Sequence, residues 1–459
     1  MSPSFLSLVL ALAPQGAPSL QAPRDPEPAP PRPNVLLLMM DQLAFDWLGA
    51  TGPGFPLVHT PNLDRIFDEG VSFLDHYTDA ETCHPARSSL LTGKPPRCHG
   101  ALANGVPLPD SETTLAEWLK AAGWTTGGIG KIHSVAEGSR QGMDFTFGKE
   151  DVQAELAARG FQDWEVVWQS LTYRTGVHLR GPELRSEDVV TDVAVDAIGR
   201  LPEPWFLYVS YTQPHPDTVA SDEAAQAVDP NDVPAPLPSA AVWGGRPSDA
   251  RARSIELGMP WLGATDSRAH YLVYAAMIEE VDAQIGRILD ALESSGRLDD
   301  TLIVFTTDHG DMAGQLGVFG KLYGPYEDVA HVPFAIRWPA GLPSGVEVHG
   351  FSQHSDLLPT LAELLERPAP AGISGTSMLP LLQGVPIHSH VVTAREADGV
   401  FRLRNGVFSY LRRPNGVEEL YRIFVDEEEA RDLSGEVGWQ GTLQTLRAEL
   451  DAWQQSVCR

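Results

Sequence analysis

Cysteine is scarce in this chain, as are basic residues. The 459 residues include only Cys83, Cys98 and Cys458. So few thiols exclude a disulfide framework as the main support of the fold, and an odd number leaves at least one unpaired. Lysine and arginine total 33 against 61 aspartates and glutamates, a formal net charge of −28. This balance argues against a broad nucleic-acid or anionic-membrane surface, so an anionic substrate would need a local positive pocket.

Long apolar runs are also missing near the amino terminus. The stretch from Phe5 to Ala13 is too short to span a bilayer. Small residues follow it, as in a secretory signal, although no Lys or Arg precedes it. We therefore predict a signal peptide at 1–21, no membrane span, and a periplasmic or secreted protein. Residues 22–33 are rich in proline and predict an extended tether.

Apolar runs that end in polar residues recur along the remaining chain and predict strands buried on both faces of a parallel sheet. They cover 34–40, 125–130, 205–211 and 302–307. Helical patterns lie between them, at 60–70, 111–123, 186–201 and 269–296. Because strands and helices alternate, the sequence predicts an α/β protein with a doubly wound sheet flanked by helices.

The pattern changes towards the carboxyl terminus. From about Val391, short alternating stretches with turn signals predict a small antiparallel sheet, followed by a closing helix near 443–454. We place a catalytic domain at 34–385 and a small subdomain at 386–459. Residues 217–266, rich in Pro, Ala and Gly, are interpreted as a long insertion over one rim of the main sheet.

Two acidic pairs follow predicted strands: Asp41 with Gln42, and Asp308 with His309. Ligands of doubly wound sheets bind outside the carboxyl ends of the strands. Carboxylate and amide oxygens suit Ca²⁺ or Mg²⁺, and the imidazole leaves Mn²⁺ open. An aspartate after a strand is more often a turn or helix cap, so it is the pairing that indicates a metal site.

A second group of residues carries positive charge or can transfer protons. Its members are Arg87, Lys131, His133, His215 and Lys321. Each alone reads more simply as a solvated side chain. At one sheet edge, however, they would form an anion pocket within an acidic protein.

Six blocks of sequence between Pro33 and about Gly384 closely resemble the type I sulfatases, in the same order. The most specific is CHPARSSLLTG, in which Cys83, Pro85 and Arg87 occupy the family's fixed positions. The others include GIGKIH, with Lys131 and His133, and TTDHGDMAGQLGVFGK, with Asp308, His309 and Lys321. The resemblance implies the mixed sheet of the alkaline phosphatase-like superfamily and hydrolysis of a sulfate ester, with a carbohydrate as the expected substrate.

The resemblance also implies a modified nucleophile. In the family, a formylglycine-generating enzyme oxidises the cysteine of Cys-x-Pro-x-Arg to formylglycine (3-oxoalanine), whose hydrate attacks sulfur. The second hydroxyl of the hydrate then allows sulfate to be expelled as the aldehyde returns. Cys83 is the corresponding residue here.

By the same resemblance, a divalent ion, most simply Ca²⁺, would be bound by Asp41, Gln42, Asp308, His309 and the modified Cys83. Arg87 would orient the hydrate, and Lys131 and Lys321 would hold sulfate oxygens. His133 would assist the return to aldehyde, and His215 would protonate the leaving alcohol. The expected partners are a sulfated small molecule or glycan and the maturation enzyme.

The metal pairs depart from the commoner family pattern. Many members carry Asp-Asp and Asp-Asn, whereas Gln42 and His309 stand here and leave only two formal carboxylate charges. The same pairs resemble phosphonate monoester hydrolases and related phosphodiesterases, so that activity is the main alternative. Lys131 with His133, and Lys321, weigh against it. An inactive carbohydrate-binding relative is a second alternative.

Overall fold

The computed structural model describes residues 32–51, 58–133, 140–160, 166–170, 175–178, 185–228, 264–314, 319–321, 323–426 and 429–458. The predicted signal peptide at 1–21 and nearly all of the tether at 22–33 lie outside the described residues. So does the greater part of the predicted insertion at 217–266.

The described residues form strands and helices in alternation along much of the chain. The strands are β1 (Asn34–Asp41), β2 (Val71–Phe73), β3 (His76–Tyr77), β4 (Thr125–Gly130), β5 (Phe145–Phe147), β6 (Val166–Ser170), β7 (Thr175–His178), β8 (Trp205–Pro214), β9 (Thr218–Ser221), β10 (Thr301–Thr307), β11 (Phe334–Arg337), β12 (Val346–Val348), β13 (Ser352–Gln353), β14 (His390–Arg395), β15 (Val400–Asn405), β16 (Phe408–Arg412) and β17 (Glu418–Arg422). The helices are α1 (Pro61–Asp68), α2 (Cys83–Thr92), α3 (Pro96–His99), α4 (Leu115–Ala121), α5 (Lys149–Ala158), α6 (Ser186–Arg200), α7 (Asp222–Ala227), α8 (Ala264–Ser294), α9 (Glu327–Ala330), α10 (Leu357–Leu364) and α11 (Gln440–Ser456).

Eight of these strands form one mixed sheet in the order β12-β2-β11-β10-β1-β8-β4-β5. Strand β1 runs parallel to both neighbours, β10 and β8, whereas β11 pairs antiparallel with β10 and with β2. The four strands predicted from apolar runs are β1, β4, β8 and β10, and together they form the middle of the sheet. The predicted helices correspond to α1, α4, α6 and α8.

The two faces of β1 belong to different hydrophobic clusters, because successive side chains of a strand point to opposite faces. One face, with α1, α6 and α8, receives Leu36, Leu38 and Met40. The other, with α2, α4 and α10, receives Val35, Leu37 and Met39. Helices therefore cover both faces, and the predicted doubly wound, mixed α/β sheet is confirmed.

The carboxyl-terminal strands form the predicted small sheet, an antiparallel meander in the order β14-β15-β16-β17. Leu443, Leu446 and Leu450 of α11 pack in its hydrophobic cluster. A disulfide joins Cys98 in α3 to Cys458 after α11, across 360 residues of sequence. Nothing in the sequence indicated this pairing. Within the described ranges, no helix has the length and apolarity that crossing a bilayer requires.

Candidate active site

The parallel pairing of β1 with β10 brings the two acidic pairs together. Met40 lies opposite Thr307, so Asp41 and Asp308 occupy the same carboxyl edge of the sheet. The backbone N–H of Gln42 donates to Oδ1 of Asp308 at 3.0 Å. Both aspartates are completely buried. The sheet thus fixes two carboxylates side by side without solvent.

Helix α2 carries Cys83 to this edge as its first residue. All ten residues of the helix are buried. The Sγ of Cys83 lies 3.3 Å from Nε2 of His309 and 3.9 Å from Oδ1 of Asp41. One ligand atom from each of Asp41, Cys83, Asp308 and His309 lies within 4.8 Å of the others, so these side chains form a group that could hold a metal ion.

Arg87 lies one helical turn after Cys83, and therefore on the same face of α2. Its Nε donates to Asp308 at 2.9 Å and its Nη2 to Asp41 at 2.7 Å. Its Nη1 donates to the hydroxyls of Tyr208 (2.8 Å) and Ser210 (2.7 Å), and to the Lys131 carbonyl. The guanidinium is fully buried, so it holds the two carboxylates in place rather than facing a substrate.

Lys131 reaches the site because β4 ends in a glycine. Gly130 has a φ of +85°, and a Cβ there would lie 2.1 Å from the Ser210 carbonyl oxygen. Lys131 Nζ lies 2.7 Å from Oδ2 of Asp41. Burial and the Cys83 thiolate raise the pKa of Asp41, but Lys131, His215 and Arg87 outweigh them and hold it well below its usual range.

Lys321 contacts both Cys83 and His309. Its Nζ lies 2.9 Å from Sγ of Cys83 and 2.7 Å from Nε2 of His309. Burial raises the pKa of the Cys83 thiol, but the positive charges of Lys321, His309 and Lys131 lower it well below its ordinary value. A helix amino terminus favours the anion further. Position 83 is therefore built to stabilise negative charge.

Two histidines lie at the outer side of this group. His215 follows β8, with Nε2 3.9 Å from Oδ1 of Asp41 and a side chain that is 28% exposed. Its Nδ1 contacts the Pro216 carbonyl. His133 is exposed, and its side chain hydrogen bonds to Cys83. The structure thus brings every residue singled out in the sequence to one sheet edge.

The sequence analysis missed Asp311, which is completely buried beside Gln42. Its Oδ2 accepts a hydrogen bond from Nε2 of Gln42. The available signal was a second acid in the Asp308 block, three residues after Asp308. Tyr208 and Ser210, the partners of Arg87, had no local signal because they lie within an apolar strand.

The donor atoms present fit a divalent cation. Oε1 of Gln42 is buried and has no hydrogen-bond partner among the described residues. Nδ1 of His309 donates to the Gly310 carbonyl at 2.8 Å, so Nε2 is the ring nitrogen that faces Cys83 and Lys321. Two carboxylates, a free amide oxygen and one imidazole nitrogen suit a hard or borderline ion.

Comparison with known proteins identifies the family. The family model described as "Sulfatase" matches residues 33–366, well over half of the chain. The chain belongs to the sulfatase family. The resemblance seen in the sequence is thereby confirmed, and this sulfatase is a sulfuric ester hydrolase with an alkaline phosphatase-like fold.

The similar proteins include an arylsulfatase and a phosphonate monoester hydrolase. The sulfatase is 32% identical over 410 residues to the multifunctional alkaline phosphatase superfamily protein PehA of Trinickia caryophylli, covering 77% of this chain and 78% of PehA. It is 29% identical over 391 residues to an arylsulfatase of Clostridium perfringens, covering 77% and 79%. Among solved structures, the phosphonate monoester hydrolase SpPMH from Silicibacter pomeroyi aligns with a TM-score of 0.81 and 25% identity, covering 93% and 96%.

Proposed function

We propose that this sulfatase cleaves sulfate esters of carbohydrates, using a formylglycine made from Cys83 and a divalent ion, most simply Ca²⁺. The observation that carries the proposal is the position of Cys83. Its Sγ lies at the amino terminus of a buried helix, among metal-ligand atoms and 2.9 Å from a lysine ammonium. In this reading, Sγ stands in for an oxygen of the formylglycine hydrate.

The residues that would hold the ion are Asp41, Gln42, Asp308 and His309, together with residue 83. When present, the ion would supply Lewis-acid stabilisation of negative charge, and the hydrate would supply an oxygen nucleophile with a second hydroxyl. Lys131, which contacts Asp41, and Lys321, which contacts Cys83, would bind the sulfate oxygens. Arg87 would hold the carboxylates of Asp41 and Asp308 in position.

Proton transfer is assigned to the two outer histidines. Because Nδ1 of His215 faces the Pro216 carbonyl, its Nε2 is the nitrogen left to donate a proton to the leaving oxygen. His133, hydrogen bonded to Cys83, would accept a proton from the hydroxyl at that position. A proton donor is useful mainly for an alkyl alcohol, which leaves poorly as an anion. This favours a sugar sulfate over an aryl sulfate.

Maturation and export complete the proposal. The Cys83, Pro85 and Arg87 side chains are all buried in α2, so the formylglycine-generating enzyme would have to read them before the chain folds. The Cys98–Cys458 disulfide supports the predicted signal peptide at 1–21 and a periplasmic or secreted location, since disulfides persist in oxidising compartments.

Phosphonate monoester hydrolysis is the second candidate. The similarity to SpPMH and the Gln42 and His309 positions favour it. The two activities differ in the reacting centre, so the ratio of kcat/KM for a sulfate monoester and a phosphonate monoester with the same leaving group separates them.

The test uses protein produced with and without a formylglycine-generating enzyme. Mass spectrometry of the peptide containing Cys83 should show conversion, and activity should rise with the converted fraction. Cys83→Ala should abolish turnover, whereas Cys98→Ser, which removes a cysteine outside the site and breaks the disulfide to Cys458, should not. Unconverted thiol in fully active enzyme would overturn the mechanism. A higher kcat/KM for the phosphonate monoester would instead support phosphonate monoester hydrolysis as the function.

A further inference from the structure

We propose that Asp311 is the positioning residue that makes Gln42 a metal ligand, by fixing which end of its amide faces the ion. The inference rests on the metal site of the proposed function. It concerns a carboxylate that the reaction itself does not use.

Asp311 is held rigidly and accepts only N–H donors. Its Oδ1 accepts from the backbone N–H groups of Ala313 (2.6 Å) and Gly320 (2.7 Å), and its Oδ2 accepts from Nε2 of Gln42. The side chain is completely buried. A carboxylate with three N–H donors and no solvent has one orientation available to it.

The backbone of Gln42 is equally fixed. Its N–H donates to Asp308 at 3.0 Å, and its carbonyl accepts from the hydroxyl of Tyr274 at 2.7 Å. Its φ is +66°, in the left-handed region. The remaining freedom is the flip of the side-chain amide, because the two ends of an amide have nearly the same shape.

Asp311 decides that flip by electrostatics. With Nε2 towards Asp311, the amide donates to a carboxylate. With Oε1 there, two acceptors would oppose each other in a buried space, which is costly. Oε1 is therefore directed away from Asp311, and it is the atom that has no hydrogen-bond partner among the described residues. Oε1 is thus a buried acceptor without a partner, on a residue that follows Asp41 and donates its backbone N–H to Asp308, and it is available as a ligand atom for a cation.

Asp311 also supplies charge. Gln42 is neutral where many sulfatases carry a second aspartate, but the carboxylate of Asp311 lies one hydrogen bond behind it. A negative group hydrogen bonded to a ligand raises the ligand's basicity. In place of a second aspartate bound directly to the ion, this chain therefore has a neutral ligand, Gln42, that is hydrogen bonded to the negatively charged Asp311.

Asparagine at position 311 should reverse the orientation. Its Oδ1 can still accept from Ala313 and Gly320, but its Nδ2 would meet Nε2 of Gln42. The Gln42 amide then has to flip, which turns an NH₂ group towards the ion. Loss of such a supporting partner typically costs about 10–100-fold in metal affinity, and we expect Asp311→Asn to raise the Kd by that amount.

Repeating Asp311→Asn in a Gln42→Glu variant tells whether Asp311 acts by orienting the Gln42 amide or only by supporting the structure. Gln42→Glu keeps the shape of the side chain but sets a carboxylate against Asp311, so it should also weaken binding. Adding Asp311→Asn to that variant gives the new carboxylate an N–H donor. The same substitution should therefore weaken binding with Gln42 and strengthen it with glutamate at position 42.

The experiment titrates metal-free full-length protein with Mn²⁺, followed by electron paramagnetic resonance, and with Ca²⁺, followed by calorimetry. Neither readout needs turnover. Asp282→Asn is the control, because Asp282 is a buried carboxylate that accepts backbone N–H groups at α1, away from the site. Its Kd should equal that of the wild type.

The inference is supported if Asp311→Asn raises the metal Kd in the wild type but lowers it in the Gln42→Glu variant. An Asp311→Asn effect that is absent, or of the same sign in both, overturns it, since loss of structural support would act alike on either residue. Wild-type protein that binds neither ion would instead overturn the metal site of the proposed function.

Discussion

Removing the positive charge of Arg87 should destabilise the fold far more than removing a surface charge. The guanidinium is completely buried and donates to two buried carboxylates, Asp41 and Asp308, at 2.7 and 2.9 Å. Taking away one partner of a buried ion pair costs about 3–5 kcal/mol, because the remaining charge is left in a low-dielectric environment. Arg87→Met keeps most of the volume, so we expect a loss of about that size.

The metal should offset part of this loss. Without Arg87, the two carboxylates repel each other, and a divalent ion between them relieves the repulsion. Ca²⁺ should therefore raise the free energy of unfolding more in Arg87→Met than in the wild type. The measurement is urea unfolding followed by tryptophan fluorescence, in chelator and in Ca²⁺, with linear extrapolation to water.

The matched control is Arg200→Met. Arg200 pairs with Asp196 at 2.8 Å, but its side chain is 79% exposed, and such pairs contribute at most about 1 kcal/mol. If Arg87→Met lost no more free energy of unfolding than Arg200→Met in chelator, the two site carboxylates would not depend on Arg87, and the reasoning would be refuted.

Three further predictions follow from single residues. His215→Ala should lower kcat/KM by ~10²–10⁴-fold on a sugar sulfate but little on a nitrophenyl sulfate; equal losses would leave His133 as the candidate acid. Cys458→Ser should lower the free energy of unfolding by about 2–5 kcal/mol, and a reductant should bring the wild-type Tm down to that of the variant. Burial raises the pKa of Asp79 from 3.8 to about 7, so folding stability should fall between those pH values as the pH rises. Asp79→Asn should flatten this slope in urea unfolding at pH 5 and 8, and an unchanged slope would exclude Asp79 as its source.

The central strands and the metal pairs could be predicted because their signals are local. The apolar residues before Asp41 and before Asp308 each predict a buried parallel strand. The carboxyl ends of parallel strands lie at the same edge of a sheet, which brings the two aspartates together. Cys83 and Arg87 are four residues apart, so a helix places them on one face. The predicted small sheet was likewise visible as alternation with turns.

The contacts that tune the site could not be predicted, because they join distant parts of the chain. Gln42 and Asp311 are 269 residues apart, and the donor and acceptor in that pair are ordinary polar residues. The partners of Arg87 on β8 read only as members of an apolar strand. Periodicity shows which face of an element is buried, but it does not show which side chain from another element meets it.

The bond between Cys98 and Cys458 turns most of this chain into a covalent ring. Those two residues are 360 positions apart, and the ring includes Lys131, His215, Asp308 and Lys321. A protease that cut the backbone anywhere between these two cysteines would open the ring without dividing the molecule. The nicked enzyme would migrate as one species until a reductant released its two pieces. Cleavage of the backbone inside the ring therefore leaves the carboxyl-terminal helix covalently attached. The helix can be lost only after the disulfide is also reduced.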